Sequence, residues 1–212
     1  MLRLAAVLAL VGALALAAPA AAQAPGDSID ALTPGRRALS FNLPNGGGVG
    51  LGIWRVVAPD RARGFFVNFS GSYGHSSYTD QVGNDNTGNS FRVSVSAGPQ
   101  FRRYIGRTAP VAPFVQSGLS LGAGYDRMSG RTAGGAEQEN HGWSGTAAAS
   151  LAGGVEWFPL RRVSLAGQTG VNLTGGYGRS GGSVGGVSQG HSASWSVGVS
   201  TFVSSLALAI YF

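Results

Sequence analysis

The feature that most narrows the possible folds of this chain is a period-two alternation of apolar and small polar residues that recurs in segment after segment. Residues 64–74, GFFVNFSGSYG, place Phe65, Val67, Phe69 and Tyr73 on one face and Asn68, Ser70 and Ser72 on the other. Residues 91–102 set Phe91, Val93, Val95, Ala97 and Phe101 against Arg92, Ser94, Ser96, Gln100 and Arg102. The same parity runs through 111–125 (Val111, Val115, Leu119, Leu121, Tyr125), 143–157 (Trp143, Ala147, Leu151, Val155, Trp157) and 163–177 (Val163, Leu165, Val171, Leu173, Tyr177). Successive side chains of a strand point to opposite faces, so these segments predict strands with one apolar side. Each run exceeds the roughly 5–6 residues of an average soluble strand. Each reaches the ~9–11 residues that a tilted strand needs to cross a bilayer.

The connections alternate in length. Residues 58–63, 104–109 and 158–162 are short, whereas 75–89, 126–141 and 178–190 are longer and rich in Gly, Ser, Asn and Asp. Short turns at one end and long loops at the other are the pattern of outer-membrane barrels. Counting back from Phe212 predicts eight strands, at about 38–43, 48–57, 64–74, 90–103, 110–125, 142–157, 163–177 and 190–212, with PNGG (44–47) as a tight first turn. The last segment breaks its own parity: Trp195, Val197 and Val199 are odd, Leu206, Leu208, Ile210 and Phe212 even. A β-bulge between 200 and 205 restores the facing, whereas a turn at TFVSS (201–205) changes the strand count. An even number of strands favours the bulge.

Alternation alone does not say which face is outside, since a lipocalin-like barrel has its apolar face inside. The second face decides, being mostly Gly, Ser, Ala, Thr, Asn and Gln. Charged residues are 11% of the chain, against roughly 25% in typical soluble proteins. Such a face fills a narrow lumen and coats a soluble surface poorly. The expected fold class is therefore all-β, an eight-stranded antiparallel transmembrane β-barrel.

Aromatics and charges sort along the strands. Phe65, Phe101, Tyr104, Trp157, Phe158, Tyr211 and Phe212 fall near short turns, and Tyr73, Phe91, Tyr125, Trp143, Tyr177 and Trp195 near long loops, as two interfacial girdles would. Lysine is absent. Arg36, Arg37, Arg55, Arg61, Arg63, Arg102, Arg103, Arg107, Arg161 and Arg162 lie toward the short turns, whereas Asp80, Asp85, Asp126, Glu137 and Glu139 lie in the long loops. The net charge of +6 is thus polarised. No nucleic-acid-binding module accompanies it, so no nucleic-acid partner is expected, and contact with anionic headgroups is more economical.

The N-terminus reads as a signal peptide at 1–22: Arg3 in a short n-region, an apolar run at 4–18, and small residues at 20–22, with cleavage after Ala22 better placed than after Ala24 because Pro25 follows. Residues 23–37 read as a periplasmic lead-in and 38–212 as the barrel, in the bacterial outer membrane. With no cysteine, neither disulfides nor thiolate chemistry are available.

The signal, the alternating strands and the terminal aromatic after LALAI resemble the small outer-membrane β-barrel proteins of Gram-negative bacteria, the OmpA transmembrane domain, OmpX and Ail-like group. The resemblance covers about 38–212 and implies barrel-assembly machinery as a partner, reading Leu206, Leu208, Ile210 and Phe212. It also implies outer-membrane lipid and lipopolysaccharide as surroundings, with an extracellular ligand for the long loops. A further aromatic often stands a few positions before such a terminus. Here those positions hold Leu208 and Ala209.

Arg92, Arg102 and Glu156 share the inward parity, and Arg102 and Glu156 lie near the short-turn end on strands two apart, about 10 Å at the usual spacing. With Gln116 between them they form the expected polar plug of a lumen wide enough only for side chains. The alternative is independent hydrated charges, and with it a narrow porin-like channel. No cofactor or metal is expected, because nothing in the sequence fixes the mutual distance of His75, His141 and His191. His75-Ser76-Ser77 places His and Ser on one strand face, as in outer-membrane lipid A deacylases. Asp80 is then the nearby acid, but the fuller motif is missing, and GHSAS (190–194) is a fainter echo. The expected role is non-enzymatic, structural or surface-interacting. GGVGLG and GGSVGG do not open helices and are strand or loop glycines.

Overall fold

The computed structural model describes residues 30–44, 48–79, 85–106, 110–131 and 135–212. The expected signal peptide, the start of the expected lead-in and most of the expected PNGG turn lie outside the described residues, as do Asp80 and Arg107. After a short 3-10 turn at Asp30–Leu32 come β1 (Arg37–Pro44), β2 (Val49–Ala58), β3 (Arg61–Thr79), β4 (Asp85–Tyr104), β5 (Val111–Arg131), β6 (Glu137–Leu160), β7 (Val163–Val184) and β8 (Val187–Tyr211). They form a closed barrel in sequence order. Every neighbouring pair is antiparallel, and β1 closes on β8 from Ala38 opposite Tyr211 to Pro44 opposite Ser205.

The barrel is apolar outside, and inside it is polar or small except toward the short-turn end, where buried aromatics fill it. Phe65, Leu119, Leu121, Leu151, Leu173, Val197 and Val199 are all more than 50% exposed, except that the shared belt dips to 40% at Val67. In water that surface would leave an apolar band around the whole circumference, far beyond the few hundred Å² a soluble monomer tolerates. Facing hydrocarbon it costs nothing, and closure pairs the backbone groups that a bilayer cannot satisfy. This is the inside-out distribution of a transmembrane barrel.

β8 is one strand. Gly170 pairs with Val203 and Val171 with Thr201, so Phe202 is the extra residue of a bulge. Thr201 and Val203 consequently point to opposite sides, which lets odd residues above and even residues below share the exterior.

The expected loops at 75–89, 126–141 and 178–190 are corrected by the structure. Most of these residues continue the ladders: β3 pairs with β4 as far as Thr79 opposite Asp85, β5 with β6 to Arg131 opposite Glu137, and β7 with β8 to Val184 opposite Val187. The last hairpin turns on Gly185 and Gly186 alone, with φ of +57° and +81°. Two consecutive positive φ values make a two-residue turn that suits the strand twist, and glycine takes them without penalty. The alternation fades in these segments because both faces meet water, yet ladder hydrogen bonds do not require it.

The β1–β2 hairpin is much shorter than the other three. Above Val49 opposite Phe69, β3 keeps only β4 as a partner, and above Pro44 opposite Ser205, β8 keeps only β7, among the described residues. Six strands therefore stand above the hairpin as an open sheet with its edges on β3 and β8.

Candidate functional site: a buried polar cluster in the lumen

Near the short-turn end, inward residues of the strands converge on the carboxylate of Glu156, which has no solvent exposure. Its Oε2 accepts from Arg102 Nη1 at 2.7 Å and from the Tyr104 hydroxyl at 2.8 Å. Its Oε1 accepts from the Tyr211 hydroxyl at 2.8 Å and from Ser164 Oγ. Four donors fill the lone-pair sites of an ionised carboxylate, the condition under which a buried charge is tolerated.

Arg102 is held by hydrogen bonds and by aromatic rings. Its Nε and Nη2 donate to Gln116 Oε1 at 3.0 and 2.8 Å. Its guanidinium carbon lies 4.0 Å from the Phe114 ring centroid and 4.6 Å from that of Trp54, so two aromatic faces lie against a cation that is weakly hydrated to begin with. Trp54 Nε1 in turn donates to Ser40 Oγ at 3.0 Å. Tyr104 meets Phe114 edge-on, and Phe158 tilts against Tyr211. Room for these rings comes from glycine: a Cβ at Gly64 would lie 2.6 Å from the Trp54 ring, and one at Gly154 2.6 Å from Phe114.

The 3-10 turn supplies the floor. Ala31 and Leu32 are fully buried against this cluster, and the Gly35 amide donates to the Val56 carbonyl at 2.8 Å, tying the segment to β2. Two residues that the sequence places in the lead-in thus belong to the core. On the other side of the plug the lumen opens into a cavity of about 260 Å³ lined by Asn42, Asn68, Gln100, Gln168 and Asn172, neutral amides without a charge among them. Gln168 Oε1 is buried there without a hydrogen-bond partner among the described residues.

The structure brings together Arg102, Gln116 and Glu156, the three residues of the expected plug, and leaves Arg92 higher on β4, opposite Asp126. Sequence reasoning missed the remaining members. Tyr104, Phe158 and Tyr211, expected in an interfacial girdle, are 4%, 3% and 4% exposed and face the lumen. Their parity carries the signal: on β4 the exterior residues are odd, on the lower part of β8 even, so positions 104 and 211 must point inward. The other expected girdle aromatics at the long-hairpin end are exposed, save that Tyr125 leans on Trp143 with ring centroids 4.7 Å apart.

Leu206, Leu208, Ile210 and Phe212 line the exterior of β8 beside β1, and the backbone amide of Phe212 donates to the Arg37 carbonyl at 2.8 Å. His75 Nδ1 bonds Asn89 Oδ1 at 2.8 Å, and the Tyr73 hydroxyl shares that oxygen. The group that meets Nδ1 of the ring among the described residues is thus an amide. Among the described residues no three His, Cys, Asp or Glu side chains converge as a metal site would require.

No family model matches the chain, and no curated protein matches it. Similar solved structures are a major outer membrane protein from Thermus thermophilus, 13% identical with a TM-score of 0.48 over 84% of this chain and 98% of that one, and Ail, the attachment invasion locus protein of Yersinia pestis. Ail is solved in complex with the heparin analogue sucrose octasulfate, at 16% identity and a TM-score of 0.34 over 85% of this chain and 100% of that one. Ail is also solved without that analogue, at 13% identity, a TM-score of 0.31 and the same coverage. The barrel itself rests on the strand ladders described above.

Proposed function

We propose that this chain is a bacterial outer-membrane β-barrel with a closed lumen, non-enzymatic, whose role is structural or one of surface interaction through its long hairpins. The observation that carries the closed lumen is the Glu156 cluster. Its carboxylate accepts from donors on β4, β7 and β8, and the Arg102 guanidinium packs against rings from β2 and β5, so protein partners take up both charges inside the lumen. An eight-stranded barrel is only wide enough for side chains to fill. The apolar exterior supports residence in a membrane, and the signal-like N-terminus of the sequence supports export to the outer one. The hairpins beyond the apolar belt are the surfaces that reach the medium, and they take over the ligand-contacting role expected of loops.

Planar-bilayer recording tests this reading. The refolded protein is expected to insert without measurable conductance, and Glu156→Ala to conduct, because removing the acceptor leaves Arg102, Tyr104 and Tyr211 to hydrate. Steady conductance by the unaltered protein would overturn the closed-lumen reading in favour of a narrow channel.

A further inference from the structure

The exterior of the barrel at the short-turn end carries an arrangement that a protein facing only water or hydrocarbon has no reason to keep. Arg37 pairs directly with Arg55, and Arg55 directly with Arg63, so three guanidinium groups share one register row across β1, β2 and β3. Below that row Arg61 pairs directly with Arg103. Directly opposed side chains have Cβ atoms roughly 4.5–5.5 Å apart, and like charges so placed repel. All five are exposed. Among the described side chains, Asp60 is a carboxylate near them, loosely at 3.5 Å from Arg61 and 3.8 Å from Arg103. Arg37, Arg55 and Arg63 have no ion pair among the described residues.

The same strands are apolar immediately above. Leu39, Ile53, Phe65 and Phe101 each stand two positions along the exterior face from one of these arginines, and each is at least 36% exposed. Between the β2–β3 and β4–β5 turns runs a groove of about 1030 Å³. Arg61, Arg63 and Arg103 line its lower part, and Phe101, Val115 and Leu151 its upper wall. One surface thus offers anion-binding forks at the bottom and an apolar track rising from them.

We propose that this row and groove bind the phosphate of an anionic glycerophospholipid in the leaflet at the short-turn end, with its acyl chains along the apolar track. The proposal rests on the membrane reading above and deepens it. A phosphate between opposed arginines offsets their mutual repulsion, and the planar guanidinium matches phosphate oxygens in bidentate pairs. Long arginine stems lie along the apolar wall while their heads reach the headgroup plane. A free phosphate would satisfy the forks and leave the apolar track unused, so the lipid is the better occupant.

The test uses the full chain refolded into phosphatidylcholine vesicles containing a small fraction of spin-labelled phosphatidylglycerol or, separately, spin-labelled phosphatidylcholine. The motionally restricted fraction is expected to be several-fold richer in the anionic probe. Arg55→Gln with Arg63→Gln should bring that selectivity to near parity, while Arg179→Gln, at the long-hairpin end, should leave it unchanged. Retained heat-modifiable gel mobility shows that each variant is folded. Equal restriction of both probes by the unaltered protein, selectivity that survives the double substitution, or displacement of the anionic probe by inorganic phosphate would overturn the proposal. Failure to insert into pure phosphatidylcholine would instead overturn the membrane reading itself.

Discussion

At the scale of residues, the chain concentrates its polar chemistry in one ion pair and surrounds it. Arg102 and Glu156 are 8% and 0% exposed, and two such charges are stable in a lumen only when paired with each other and hydrogen-bonded to their surroundings. Removing one partner leaves the other buried and unpaired, at a cost of about 3–5 kcal/mol. We expect Arg102→Ala and Glu156→Ala each to lose stability of that order in urea unfolding from detergent micelles. Arg102→Ala combined with Glu156→Ala is expected to cost less than the sum of the two single truncations, since no charge is then stranded. Strict additivity would mean that the two residues are not coupled. Only part of this cluster was legible in the sequence. The inward parity of Arg102, Gln116 and Glu156 was visible, whereas Trp54, Phe114 and Ser164 look like any other strand residues until the register sets them around the ion pair.

At the scale of elements, the unequal hairpins matter most. β1 and β2 have 8 and 10 residues, while β3 through β8 have 19 to 25. Backbone amides on β8 from Val187 to Val203 that point away from β7 have no ladder partner among the described residues. Hydrogen exchange of the refolded protein should find them fast, against slow exchange for the β5–β6 ladder, which is paired on both flanks over most of its length. Uniform protection along β8 would mean that another segment covers that edge. The sequence announced the bulge through its parity flip, because a shift of one residue inverts every side chain beyond it. It concealed the length of the hairpins, because Gly- and Ser-rich ribbons wet on both faces have no period to read.

At the scale of the whole molecule, the distribution of tryptophans offers a direct check of which side faces lipid. Trp54 is 6% exposed inside the barrel, while Trp143 is 64% exposed on the exterior. In bilayers of brominated acyl chains, a variant retaining only Trp143 should be strongly quenched and one retaining only Trp54 should not. Equal quenching would reverse or erase the inside-out assignment. Charges differ from end to end instead: the directly opposed arginines Arg37, Arg55 and Arg63 lie at the short-turn end, while at the other end Arg127 pairs with Glu139 at 2.8 Å and Arg131 approaches Glu137 at 3.7 Å.

Period-two patterning, scarce charge and small lumen residues determined by themselves that this chain forms a closed antiparallel barrel with its apolar side outward. Those are properties of each strand alone, and each strand states them in its own residues. Which inward residues meet is another matter. Arg102, on β4, reaches Glu156, on β6, 54 positions away, and the exterior row of arginines forms because β1, β2 and β3 align in one register. Both depend on stagger between strands, which comes from turn lengths, the Phe202 bulge and closure of β8 on β1 together, and so only the tertiary structure decided them.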